Sequence, residues 1–93
     1  MRKRRPLSKR FKITEDDLTE ENEWGYTHRF NSKFFEIVID ENHRNERERM
    51  DTLIHEAIHV ADWYMSERKV IALADIITRV LWRQGYRRRV KSK

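Results

Sequence analysis

The 93-residue chain is predicted to form one α+β domain: a small antiparallel sheet packed against two helices. Three observations predict it. Two strand-like runs flank a short turn, a capped amphipathic run follows them, and a second capped amphipathic run closes the body. The length allows a single domain.

Each element has its own signal. Phe11-Lys12-Ile13-Thr14 alternates with period two and reads as a possible extra strand. The acidic stretch "EDDLTEENE" that follows reads as loop or one loose helical turn. In Trp24-Gly25-Tyr26-Thr27-His28-Arg29-Phe30, aromatic residues and His28 alternate with Gly, Thr and Arg. In Phe34-Phe35-Glu36-Ile37-Val38-Ile39-Asp40, the residues Phe35, Ile37 and Ile39 share one face. Asn31-Ser32-Lys33 between them is turn chemistry, so the pair reads as a β-hairpin. Gly25 hints at a bulge or an edge position. Asn45 with Glu48 three residues on makes a capping box that opens the first helix. Met50, Ile54, Ala57, Ile58, Ala61 and Met65 form its expected apolar stripe. Ser66 caps a second helix that runs to Arg83 and stops near Gly85.

Charge divides the chain into three parts. Residues 1–10 and 83–93 together hold 12 of the 21 basic residues and no acid. Residues 11–82 hold the other nine against all 16 acids, a body of net charge −7. Two basic tails on an acidic body are expected to be extended and solvated. Arg2, Lys3, Arg4, Arg5, Arg87, Arg88 and Arg89 are the candidates for weak contact with nucleic acid or an anionic surface, or simply for solubility. The absence of cysteine rules out disulfides, thiolate zinc sites and iron–sulfur clusters, and favours the cytoplasm. The basic N-terminus lacks the apolar segment of a secretory signal, and no run approaches a membrane span.

The chemistry lies in "TLIHEAIHVADW", Thr52 to Trp63. At about 100° per residue, His55 and His59 fall on one flank of the first helix. Two imidazoles one turn apart can chelate one divalent ion, and a nitrogen-preferring metal such as Zn2+ suits them. Glu56 is rotated to the neighbouring flank, within reach of a water on the metal. There it can act as the general base for attack on a peptide carbonyl and return the proton to the leaving amine. This is the H-E-x-x-H arrangement in the helical context it requires. The alternative is two surface histidines beside a salt-bridging glutamate.

These residues resemble a family. "TLIHEAIHVAD", preceded by "WGYTHRF…FFEIVID" and followed by "SERKVIALADII", is similar to the small zincin-type metallopeptidase domains, minimal relatives of the gluzincins, found in phages and bacteria. The resemblance spans roughly Trp24 to Leu81, and only the motif in it is highly specific. It implies a hairpin ahead of the active-site helix, whose edge strand can align an extended substrate. It also implies a third metal ligand, a glutamate from the next helix. Glu67 is the choice, because Glu67, Val70, Ile71, Ala74, Ile77 and Leu81 form one stripe with Glu67 at its top. Asp75 is the rival, although a pair with Arg79 explains it more simply. Asp62 is placed to orient His59 by a hydrogen bond. His28 and Tyr26, on the same side of their strand as Trp24 and Phe30, are candidates to assist an oxyanion. No histidine follows His59, which excludes the metzincin pattern and removes the later histidine of the DNA–protein crosslink proteases.

The expected function is therefore a zinc-dependent peptidase-like hydrolase acting on a peptide or protein. The alternative is a nucleic-acid-associated accessory protein whose metal site is structural or vestigial.

Overall fold

The structure, a computed structural model, describes residues 9–89. Its elements run β1 (Arg10–Asp16), β2 (Gly25–Asn31), β3 (Phe34–Asp40), α1 (Glu46–Ala61) and α2 (Glu67–Arg83). This is the α+β class with a small sheet that the sequence predicts. The pairing differs in one respect. The sheet order is β1-β3-β2, with β2 antiparallel and β1 parallel to β3, so the sheet is mixed. The loop between β1 and β2 spans the width of one strand, and the most apolar strand inserts there. A central position pairs both edges of β3 and buries its side chains most completely.

Local chemistry fixes the connections. In the acidic loop, Leu18 is buried, and its N–H donates to Asp40 Oδ1 at 3.2 Å. Asn42 donates to the same oxygen through its backbone and its side chain, so the buried Asp40 carboxylate is satisfied. Lys33 N–H donates to Asn31 Oδ1 at 2.8 Å, which closes the hairpin turn. Asn45 Oδ1 accepts from Glu48 N–H at 2.8 Å and caps α1. The Glu48 carboxylate pairs with Arg44 rather than completing the capping box. At the other end of α1, Lys9 Nζ donates to the carbonyls of Val60 and Ala61 at 2.9 and 3.0 Å. Ser66 caps α2, and α2 ends where Gly85 takes φ 90°, with Gly85 N–H donating to the Trp82 carbonyl and Tyr86 N–H to that of Leu81.

The layers are sheet, α1, α2. α1 lies across β2 and β3, while α2 packs on α1. Phe35, Ile37 and Ile39 of β3 meet Val60 of α1, with Leu53 and Trp63 against them. Burying each such side chain stabilises by roughly 1.5–3 kcal/mol. This layering shifts both expected helix stripes. α1 is covered on two sides, and its buried residues are Glu56 and Val60, whereas Ala57 and Ala61 are exposed. α2 touches one helix, so only Val70, Ala74 and Thr78 are buried, and Ile71 and Ile77 stay exposed.

Gly25 marks the closest approach of β2 to α1. A Cβ there would stand 2.7 Å from Thr52 Cγ2 and 3.0 Å from the Val38 carbonyl oxygen. Gly25→Ala is therefore expected to destabilise by about 1–3 kcal/mol, the usual cost of overpacking. A urea melt that leaves its midpoint unchanged would place α1 farther from the sheet.

Candidate metal centre

His55 and His59 project from α1 one turn apart, with ring centroids separated by 5.0 Å and planes inclined at 64°. Ser66 makes Glu67 the first residue of α2, and from there its carboxylate reaches back to α1. Glu67 Oε1 lies 2.5 Å from His55 Nε2, and Oε2 lies 3.4 Å from His59 Nε2. One ligand atom from each of the three residues falls within 4.8 Å of the others, a group able to hold a metal ion. The two imidazoles are largely buried. The Glu67 side chain is 61% exposed, so it stands on the rim of α2 rather than atop a buried face. The cause is again the narrow contact of α2 with its one partner helix.

The donor set suits a borderline cation: two imidazole nitrogens, one carboxylate, and an open fourth side. Ligands in a tetrahedral zinc shell stand about 3.3 Å apart. The His59–Glu67 spacing already meets that value, while the His55–Glu67 hydrogen bond would have to part.

Glu56 lies on the neighbouring flank of α1, toward the sheet and still in the wall of the same cleft. It is buried, and its Oε1 accepts from Thr27 Oγ1 at 2.7 Å. The same hydroxyl lies 3.2 Å from the Glu56 carbonyl oxygen. Thr27, on β2, thus joins the sheet to the motif helix at the one carboxylate of the motif. His55, Glu56, His59 and Glu67 share an open cleft of about 530 Å³ with Glu23, Gly25, Tyr26, Thr27 and Trp63. Sequence reasoning missed Thr27 and Trp63. The signal for Thr27 was available: the small and polar residues of β2, not its aromatic ones, take the alternation facing α1.

The other candidates are placed as follows. Asp75 pairs with Arg79 at 2.7 Å and stays out of the His–His–Glu group. Asp62 is the exposed C-cap of α1, and its backbone, not its carboxylate, makes its contacts: N–H to Ile58 and carbonyl to Met65. Tyr26 is exposed and borders the cleft. His28 is exposed on the sheet face away from α1, edge-on to Phe30 at 4.4 Å. A second cleft, at the N-terminus of α1, holds His43, whose Nε2 is 3.1 Å from the Trp24 carbonyl oxygen and whose ring stacks on Trp24.

Arg2, Lys3, Arg4 and Arg5 lie outside the described residues. Arg87 stacks on Trp82 at 3.3 Å and donates to the Trp82 and Tyr86 carbonyls. Arg88 binds Glu46 through two hydrogen bonds and approaches Glu15 at 3.8 Å. Both therefore dock on the body rather than extending into solvent, and Arg89 is exposed. Among the described residues, no helix is long and apolar enough to cross a membrane. No protein-family model, curated protein or solved structure matches this chain.

Two outcomes are expected from these contacts. Thr27→Val removes the donor to a buried carboxylate and should cost about 1–3 kcal/mol, while Thr27→Ser should stay within about 1 kcal/mol of the parent in the same melts. Equal stability of the valine and serine variants would show that the hydroxyl does not hold Glu56. The second outcome depends on pH. The Arg88 hydrogen bond holds the Glu46 carboxyl below its usual value of 4.5. A lowered carboxyl contributes stability above its unfolded value, and that contribution disappears as pH falls through the folded value. Arg88→Ala should thus cost about 0.5 kcal/mol at pH 7, given solvent screening, and less at pH 2. A deficit of equal size at both pH values, measured by urea titration, would assign the loss to packing instead.

Proposed function

We propose that this chain is a compact zinc-dependent peptidase-like hydrolase. The observation that carries the reading is the division of labour around α1. His55, His59 and Glu67 converge on one point, while Glu56, from the same motif, is buried in the adjoining cleft wall and held there by Thr27. A purely structural centre has no use for a separate carboxylate beside it.

His55, His59 and Glu67 would hold the ion, which when bound supplies Lewis acidity toward water and a peptide carbonyl. Glu56 accepts the proton from the attacking water and delivers it to the departing amine nitrogen, so it begins and ends each cycle as a carboxylate. The Thr27 hydroxyl occupies Oε1 and leaves Oε2 for that proton. Among the described residues the outer edge of β2 is unpaired; it borders the cleft and offers backbone groups to an extended peptide.

Zinc titration and peptide cleavage on three variants test the reading. His55→Ala/His59→Ala should lose zinc binding entirely, and Glu67→Ala should weaken it by at least tenfold, since it deletes one of three ligands. Glu56→Gln should keep the zinc and the melting temperature while losing cleavage of a mixed peptide library. A parent chain that takes up no zinc, or a Glu56→Gln chain that cleaves like the parent, overturns the proposal.

A further inference from the structure

We propose that Arg29 is a carboxylate-binding residue beside the cleft, against its wall residue Trp63, selecting peptides that carry a carboxylate near the reacting bond. The role in selection rests on the peptidase reading; the binding does not.

Arg29 sits on β2 two residues beyond Thr27, on the same face, about 7 Å along the strand. Its guanidinium carbon lies 5.5 Å from the centre of the Trp63 ring and 5.7 Å from that of Tyr64. Trp63 is also part of the cleft wall beside His59. The cation is thus anchored on the aromatic pair that follows the motif helix. Its Nε is buried and has no hydrogen-bond partner. Among the described residues no carboxylate pairs with Arg29, although the body is acidic and Arg44, Arg49, Arg79 and Arg88 all have carboxylate partners. A desolvated guanidinium N–H without an acceptor is costly, and native structures rarely leave one so.

The aromatic faces explain how the charge is held and what it is held for. Cation–π contact engages the flat face of the guanidinium and uses none of its in-plane donors. The two terminal nitrogens, which are not buried as Nε is, remain for a planar acceptor, and a carboxylate fits that end of the guanidinium with two parallel hydrogen bonds. Lysine, a point charge, would not give that match. The cleft also carries Glu23, Glu56 and Glu67. Their charge disfavours a polyanion such as nucleic acid or a phosphorylated chain, and leaves a singly charged carboxylate as the acceptable anion. A peptide can supply one from its C-terminus or from an aspartate or glutamate side chain.

The test follows the Arg29 Nε–H resonance of the 15N-labelled full chain, assigned by its loss in Arg29→Lys. Three probes are titrated with chelator present: N-acetyl-glycyl-alanine as the free acid, its C-terminal amide, and N-acetyl-aspartyl methylamide, whose one carboxylate is on the side chain. The free acid is expected to shift the resonance and bind at least tenfold more tightly than the amide, with Arg29→Gln abolishing the difference and Arg29→Lys reducing it when the same probes are titrated into the variants by calorimetry. A response to the free acid alone assigns a C-terminal carboxylate, and a response to the aspartyl methylamide assigns an acidic side chain. No shift with either carboxylate probe, or an amide that binds as tightly as both of them, overturns the proposal. Because the probes bind without metal and without cleavage, a failed peptidase assay beside a positive titration removes only the earlier reading.

Discussion

A carboxylate buried between a helix and a sheet is the constraint around which this small domain is arranged. Glu56 lies on the sheet-facing side of α1, where an unpaired charge would cost several kcal/mol. Thr27 meets it at 2.7 Å from the inner face of β2. One side-chain hydrogen bond therefore sets both the depth and the rotation of α1 on the sheet. Gly25, two residues earlier on the same face, lets α1 come close enough for that bond to form, since any larger side chain would strike Thr52. With Glu56 turned inward, helical geometry leaves His55 and His59 on the flank that opens into the cleft.

The third member of the cluster depends on the short link between the helices. Met65 N–H donates to the Asp62 carbonyl, and Ser66 then caps α2. The reversal brings the first residue of α2 level with the last two turns of α1, and Glu67 is that residue. Asp75, two turns farther along, has moved away from the histidines and finds Arg79 instead. The choice between the two acids thus follows from distance along the helix, not from burial: Glu67 is among the more exposed acids of the body.

The fold class, the hairpin, both helix caps and the pair of histidines were legible in the sequence because each rests on local chemistry. Asn45 and Ser66 cap through backbone groups three residues away, and Gly85 ends α2 through its own φ angle. What was not legible depends on how elements stack. The parallel pairing of β1 follows from the competition of strands for the central place, to which local alternation is blind. The apolar stripes misplaced the covered faces because α1 is sandwiched and α2 is not. Docking of Arg88 was hidden for the same reason: Glu46 and Glu15 come together only once helix and sheet are in place, whereas Arg87 docks on its chain neighbours Trp82 and Tyr86. Thr27 was the recoverable miss, since a β2 face built of Gly, Thr and Arg next to a helix bearing Glu is a polar contact waiting to be matched.

The position of α2 gives the cluster a second consequence. α2 packs on α1 through buried Val70 and Ala74 and is tied at its two ends by charge as well. At the C-terminal end, Arg88 bridges to Glu46 of α1 and toward Glu15 of β1. At the N-terminal end, Glu67 is held by the two imidazoles. The same carboxylate can accept from an imidazole N–H or serve as ligand to a shared cation, so α2 is clamped in either state. An ion bridging His55, His59 and Glu67 would replace a hydrogen bond with coordination across the α1–α2 interface, and its binding free energy would add to folding where apolar contact is thinnest. On the proposed reading, a chain with so small a core gains from placing a metal centre at that joint, because the residues that would hold the ion are then also the ones that hold the last layer on.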